Sequence, residues 1–267
     1  MKYKLGSIGC GNMGGAILRG AVENKAFAAG EIAVCVRTAE TAERCRNAGY
    51  SVLEHAAEVY EQSSLVLLAI KPQGMPGLFE QLRESDATVS PVVISIVAGL
   101  TEARIRAALP HARVVLVMPN TPLMLGCGAT AISCGDGVTA AEFSEVKSLF
   151  SALGEVREVR AALQNEVIPL NGSSPAFVYY MIESLARWGQ QQGVPYEDAL
   201  VLTAKTFEGA AKMVLRGEDE PKTLIRKVCS PGGATLEGMR VLDDRKVSDL
   251  LGEVAAACVK RAYELGK

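Results

Sequence analysis

From Tyr3 onward, short apolar runs alternate with stretches of helical periodicity. Tyr3 to Ile8 precedes Met13 to Asn24, and Glu31 to Val36 precedes Thr41 to Ala48. Further strand-like runs follow at Leu65 to Ile70, Val92 to Val97, Arg113 to Val117 and Ala129 to Ser133. Strands that alternate with helices predict βαβ units on a parallel sheet. Leu65 to Ile70 contains no polar residue, as expected of a strand covered on both faces. After about residue 160 the strand-like runs stop and apolar residues recur at helical spacing. Phe177, Met181, Leu185 and Trp188 make one stripe; Val247, Leu250, Leu251, Val254 and Cys258 make another.

The turn after the first predicted strand gives the α/β half a chemistry. Gly9-Cys10-Gly11-Asn12-Met13-Gly14 stands between that strand and a helical run, the setting in which G-x-G-x-x-G binds a dinucleotide. Gly9 permits the tight turn, Gly11 lets the pyrophosphate approach the backbone, and Gly14 lets helix and strand pack closely. Free N–H groups at the helix start then face the phosphates. The predicted fold is therefore α/β, with a Rossmann-type dinucleotide-binding domain over residues 1–158 and an all-helical domain over 159–267. At the end of the second strand, where an NAD enzyme places Asp or Glu for the ribose 2′-hydroxyl, Arg37 and Thr38 stand instead. That pair suits a 2′-phosphate, so NADPH is the expected cofactor and NADH the alternative; a solvated loop arginine is the plainer reading of Arg37. Ala69-Ile70-Lys71-Pro72-Gln73 follows the buried strand at the carboxyl edge of the sheet, where Lys71 can lie beside the cofactor or, with Pro72, simply end a strand.

Composition removes several other classes. The 267 residues are 49% hydrophobic and 22% charged with a net charge of −2, and Lys and Arg form no cluster interleaved with aromatics. Nucleic acid is therefore not an expected partner. Seven cysteines without a C-x-x-C pair fit free thiols in a reducing compartment better than a disulfide framework. Leu5 to Cys10 is interrupted by Gly6 and Gly9, unlike a signal-peptide core, and no apolar run approaches the ~20 residues of a membrane span. The expectation is a cytoplasmic, soluble protein. His55 and His111 are the only histidines and have no metal-ligand spacing, so no metal site and no His-centred triad is expected.

In the helical half, Ser230-Pro231-Gly232-Gly233-Ala234-Thr235 reads as a glycine-rich turn running into a helix over Leu236 to Val241. Backbone N–H groups at such a start can hold a carboxylate. A helix cap with a flexible turn before it is the alternative.

Together with Met118-Pro119-Asn120-Thr121-Pro122 and Gly172-Ser173-Ser174-Pro175-Ala176, these motifs resemble the pyrroline-5-carboxylate reductase family along nearly the whole chain. The resemblance implies phosphates at Gly9, Cys10, Gly11, Asn12, Met13 and Gly14, a 2′-phosphate near Arg37 and Thr38, and the nicotinamide side near Ala69, Ile70, Lys71 and Pro72. It adds Ile96, Val97 and Ala98 to the cofactor lining. Ser230, Gly232, Gly233, Ala234 and Thr235 become the substrate site, with Thr235 as the catalytic hydroxyl. Departures from the family pattern are Leu116 in place of an arginine, Ser174 in place of a glycine, and His55-Ala56 where an asparagine meets the ribose.

The implied reaction is reduction of 1-pyrroline-5-carboxylate to L-proline by hydride from NAD(P)H, in a homodimer or a larger oligomer of dimers. Thr235 either positions the ring nitrogen or relays its proton. Another imine or β-hydroxyacid reductase more usually has a lysine on the first long helix of the second domain, and Ser174 to Gln192 contains none. A dinucleotide-sensing module without catalysis would have no need of Ser230 to Thr235.

Overall fold

Alternating strands and helices build the first part of the chain in the computed structural model, which describes residues 1–83, 85 and 88–266. In order these are β1 (Tyr3–Ile8), α1 (Asn12–Glu23), β2 (Ile32–Cys35), α2 (Ala39–Asn47), β3 (Ser51–Val52), α3 (Ala56–Gln62), β4 (Ser63–Leu68), α4 (Met75–Leu82), β5 (Val92–Ser95), α5 (Glu102–Ala108), β6 (Arg113–Met118), β7 (Gly128–Cys134), α6 (Ala140–Ser151) and β8 (Gly154–Glu158). Five helices follow: α7 (Ser174–Gln191), α8 (Tyr196–Arg216), α9 (Pro221–Val228), α10 (Ala234–Asp244) and α11 (Val247–Leu265). Two units result, one of residues 1–173 with the chain from Ala257 onward, the other Ser174–Ala256.

The strand order β3-β2-β1-β4-β5-β6-β7-β8 reverses direction between β1 and β4. In such a sheet ligands bind at the carboxyl ends of the two strands where the order reverses. Apolar clusters cover both faces: Leu5, Ile17, Leu65 and Phe150 lie in one, Val59, Val66, Leu78 and Ile105 in the other. That explains the unbroken apolar run in β4, whose residues point alternately into the two cores.

One pairing departs from the all-parallel expectation. β6 and β7 are antiparallel, with Leu116 opposite Ser133 and Met118 opposite Ala131. The connection between them holds Pro122 in a 3-10 turn over Thr121–Leu125 and Gly126 at φ +69°, with no helix to carry a crossover. A parallel return needs a dozen or more residues, so the strand folds straight back.

The helical unit is built differently. Its only buried hydrophobic residues, among those described, are Ala186 and Ala199. The apolar stripe on α7 lies open: Leu185 is 53% exposed and Trp188 62%. Among the described residues no helix is long and apolar enough to cross a membrane.

A charge pair ties α6 to the sheet. Thr139 caps α6, accepting from the Glu142 N–H at 3.3 Å, while Glu142 Oε2 accepts from the Thr139 N–H at 2.9 Å and hydroxyl at 2.8 Å. Glu142 Oε1 pairs with Arg113 of β6. Burial alone would raise the Glu142 pKa, but the Thr139 hydrogen bonds and the Arg113 guanidinium together hold it below the usual carboxylate range. A depressed carboxyl pKa contributes stability above its unfolded value and loses it as pH falls through the folded value. Glu142→Gln is therefore expected to lower the thermal midpoint at pH 7 by about 2 to 4 °C per kcal/mol lost. The gap should close as pH falls below the ordinary carboxylate range, measured by calorimetry between pH 7 and 3.

Candidate functional site

The reversal point carries the glycine turn. β1 ends at Ile8, whose carbonyl accepts from the Ala69 N–H at 2.9 Å, and the Gly9 N–H donates to the Cys35 carbonyl at 2.9 Å. The ends of β1, β2 and β4 are thereby held side by side. Gly9 sits at φ +98°, and a Cβ there would lie 2.4 Å from the Ala69 carbonyl oxygen. At Gly14 a Cβ would lie 2.8 Å from the Ala69 Cβ, so α1 packs directly on the chain leaving β4. At Gly11 nothing stands within 4 Å of a Cβ, which leaves open space beside the loop. The three glycines thus have three causes: a left-handed turn, a helix-strand contact and an empty cradle.

Gly11 is the N-cap of α1 and has no side chain to cap it. The first N–H groups of a helix have no intrahelical partner, and here they open next to the cradle. A pyrophosphate fits such a place. Asn12 is exposed, Met13 packs against the first core, and the Cys10 side chain is buried below the loop. Burial, with the Cys10 thiol beside it, pushes the Cys45 thiol up to about 12. Cys45 is a protonated packing group.

Arg37 is exposed at the end of β2. Thr38 caps α2, its hydroxyl accepting from the Thr41 N–H at 3.3 Å and donating to Thr41 Oγ1 at 2.9 Å. On the same edge, Lys71 is exposed and caps a 3-10 turn that starts at Pro72, and Ala69 and Ile70 are half-buried. Ile96 and Ala98 are half-buried beyond β5. The Val97 side chain belongs to the second core, and its N–H donates to Ser95 Oγ at 3.4 Å. Gly9 to Gly14, Arg37, Thr38, Ala69 to Pro72 and Ile96 to Ala98 all lie at the carboxyl ends of parallel strands in one unit.

Ser230 to Thr235 lie in the other unit. Ser230 to Gly233 form a turn closed by the Gly233 N–H on the Ser230 carbonyl at 2.9 Å, with Gly232 at φ +70° after Pro231. That is the glycine position of a type II turn. Gly233 is the N-cap of α10, so Thr235 is the second helical residue and not the cap. Its side chain lines an apolar groove of about 390 Å³ with Met213, Leu224, Val228 and Met239.

Three side-chain amides act at the next strand pair, and of these the sequence motifs include only Asn120. Asn171 donates to the Met118 carbonyl at 2.6 Å and the Ala129 carbonyl at 2.9 Å, and Asn120 Oδ1 accepts from the Ala129 N–H at 2.9 Å. Gln164 donates to the Leu116 carbonyl at 3.2 Å and Ser133 Oγ at 2.7 Å. They brace the β6–β7 seam and its Met-Pro-Asn-Thr-Pro end, where Pro119 has no N–H to give. Leu116, at the departure from arginine, is buried in the second core, and Ala56 is buried in the first turn of α3.

Residues 162–265 match the family described as pyrroline-5-carboxylate reductase dimerisation, and residues 4–99 the family described as NADP oxidoreductase, coenzyme F420-dependent. The pyrroline-5-carboxylate reductase of Escherichia coli is 32% identical over the full length of both chains. The chain belongs to the pyrroline-5-carboxylate reductase family. Among solved structures, a pyrroline-5-carboxylate reductase from Coxiella burnetii superposes with a TM-score of 0.88 at 29% identity over the whole of both chains. A pyrroline carboxylate reductase of Plasmodium falciparum, solved with NADP bound, shares the fold with a TM-score of 0.89 at 23% identity, again over both full lengths.

The glycine turn of this reductase fold makes a direct comparison possible. Gly9→Ala is expected to cost about 1 to 3 kcal/mol in backbone strain before the clash with Ala69 is counted, and so to lower the melting temperature by several degrees. Gly11→Ala, with φ −75° and open space around it, should leave the melting temperature nearly unchanged. Equal losses in thermal denaturation would show that Gly11 is held by packing.

Proposed function

We propose that the chain reduces 1-pyrroline-5-carboxylate to L-proline with NADPH, as a cytoplasmic enzyme working as a homodimer. The full-length match to reductases named for this substrate, with the glycine cradle at the sheet's reversal point, carries the reading. When bound, the nicotinamide of NADPH supplies the hydride for the imine carbon. The main-chain N–H groups at the start of α1 hold the pyrophosphate, and Arg37 pairs with the 2′-phosphate. Ala69 to Pro72 and Ile96 to Ala98 line the edge where the nicotinamide lies, and Val97 does so through its main chain. The turn at Ser230 to Ala234 offers N–H groups at a helix start to the substrate carboxylate, and Thr235 makes a hydrogen bond with the ring nitrogen.

A dimer follows from the helical unit's lack of a core: apolar surface of the size left open on α7 and α8 is covered in water by another apolar surface. Seven unpaired cysteines suit a reducing cytoplasm. Oxidation of NADPH on addition of 1-pyrroline-5-carboxylate, followed at steady state, tests the reaction; binding of NADPH without turnover would leave a sensing module instead.

Two variants test the assignments. Arg37→Ala is expected to raise the NADPH Michaelis constant more than tenfold with little change for NADH, since a charge-assisted contact contributes about 1.5 to 3 kcal/mol. Equal losses for both cofactors would remove Arg37 from the 2′-phosphate site. Thr235→Ala should lower the turnover number by roughly one to two orders of magnitude with nearly unchanged cofactor binding by fluorescence quenching. Near-normal turnover would return Thr235 to a structural role.

A further inference from the structure

We propose that Arg44 is a second 2′-phosphate-binding residue, acting beside Arg37; this rests on the cofactor reading above. Arg44 stands in the second turn of α2, the helix that Thr38 caps directly after Arg37. Helical side chains point back toward the helix start, which carries this guanidinium toward the carboxyl edge of the sheet. There its Nη2 donates to the Cys10 carbonyl at 2.9 Å. Cys10 lies between Gly9 and the open cradle at Gly11, so the contact joins the segment after β2 to the glycine loop. One N–H of five is used on that carbonyl.

Charge balance at this corner asks for a second cation. A phosphate monoester carries about 1.5 to 2 negative charges at pH 7 and three acceptor oxygens, more than Arg37 alone neutralises. Glu40, in the first turn of the same helix, adds another negative charge. The pyrophosphate has the α1 N–H groups, whereas the 2′-phosphate depends on side chains. Arg19, one turn further along α1, has its Nη1 3.6 Å from where a Cβ on Gly15 would lie.

Arg44→Gln removes the charge and, being shorter, also the Cys10 contact, so the two roles are told apart by which ligands weaken. Dissociation constants for NADPH, NADH, 2′,5′-ADP and 5′-ADP would be measured by calorimetric titration of the full chain. The expected result is a loss of roughly tenfold or more for NADPH and 2′,5′-ADP, with NADH and 5′-ADP changed by less than about twofold. Arg44→Lys, which retains the charge, should recover part of the NADPH affinity. Unchanged NADPH affinity in Arg44→Gln would overturn the assignment, and so would equal weakening of all four ligands, which would mark Arg44 as a brace of the loop. Wild-type protein that binds neither NADPH nor 2′,5′-ADP would overturn the cofactor reading itself, and this inference with it.

Discussion

Between the end of β1 and the end of β4 the backbone runs so close that neither Gly9 nor Gly14 has room for a side chain. Ala69 is the neighbour in both cases, through its carbonyl oxygen at Gly9 and its methyl group at Gly14. The contact brings the start of α1 against the sheet and turns its free N–H groups toward the space at Gly11. A larger residue at Gly9 or Gly14 would move the helix start, and the phosphate-binding geometry with it, whereas one at Gly11 would enter only the open space beside the loop. The Arg44 contact to Cys10 fixes the remaining side of the same turn.

Much of this was legible because backbone sterics write themselves into sequence as glycine. The spacing of Gly9, Gly11 and Gly14 after an apolar run gave the turn, and the unbroken run at β4 gave a strand covered on both faces. Side-chain braces left no comparable signature. Asn171 and Gln164 lie in a connecting segment, and only the fold brings their amides to a strand pair tens of residues away in sequence. Arg44 was one basic residue among several on a polar helix, and its one signal was a position following Arg37 by two turns. The antiparallel return at β7 was visible only in the shortness of residues 119–127, which the strand-by-strand reading passed over. Thr38 is expected at the 2′-phosphate from its place after Arg37, and its hydroxyl also caps α2, a role its position alone does not reveal.

The two halves bury apolar surface by different routes. The sheet hides its branched residues within one chain, beneath helices on both faces. The last helices present Leu185, Trp188, Leu250 and Leu251 outward. Periodicity found these stripes but not what covers them, because a helical wheel has the same pattern whether the partner is the same chain or a second copy. The match of residues 162–265 to a family described by its dimerisation bears on that question in a way that the pattern could not.

α11 begins in the helical unit and ends in the sheet unit. In its last turns Ala262 is buried with Met118, Ala131 and Ile168, and its carbonyl oxygen would be 2.3 Å from a Cβ on Gly99. The Tyr263 hydroxyl donates to Glu166 at 2.6 Å, and the Arg104 guanidinium reaches the Gly266 carbonyl. The sheet unit is therefore discontinuous in sequence, with the helical unit inserted before its final piece. During synthesis the strands leave the ribosome well before the segment that seals Met118 and Ile168, so the sheet unit stays unfinished until residues 257–266 arrive.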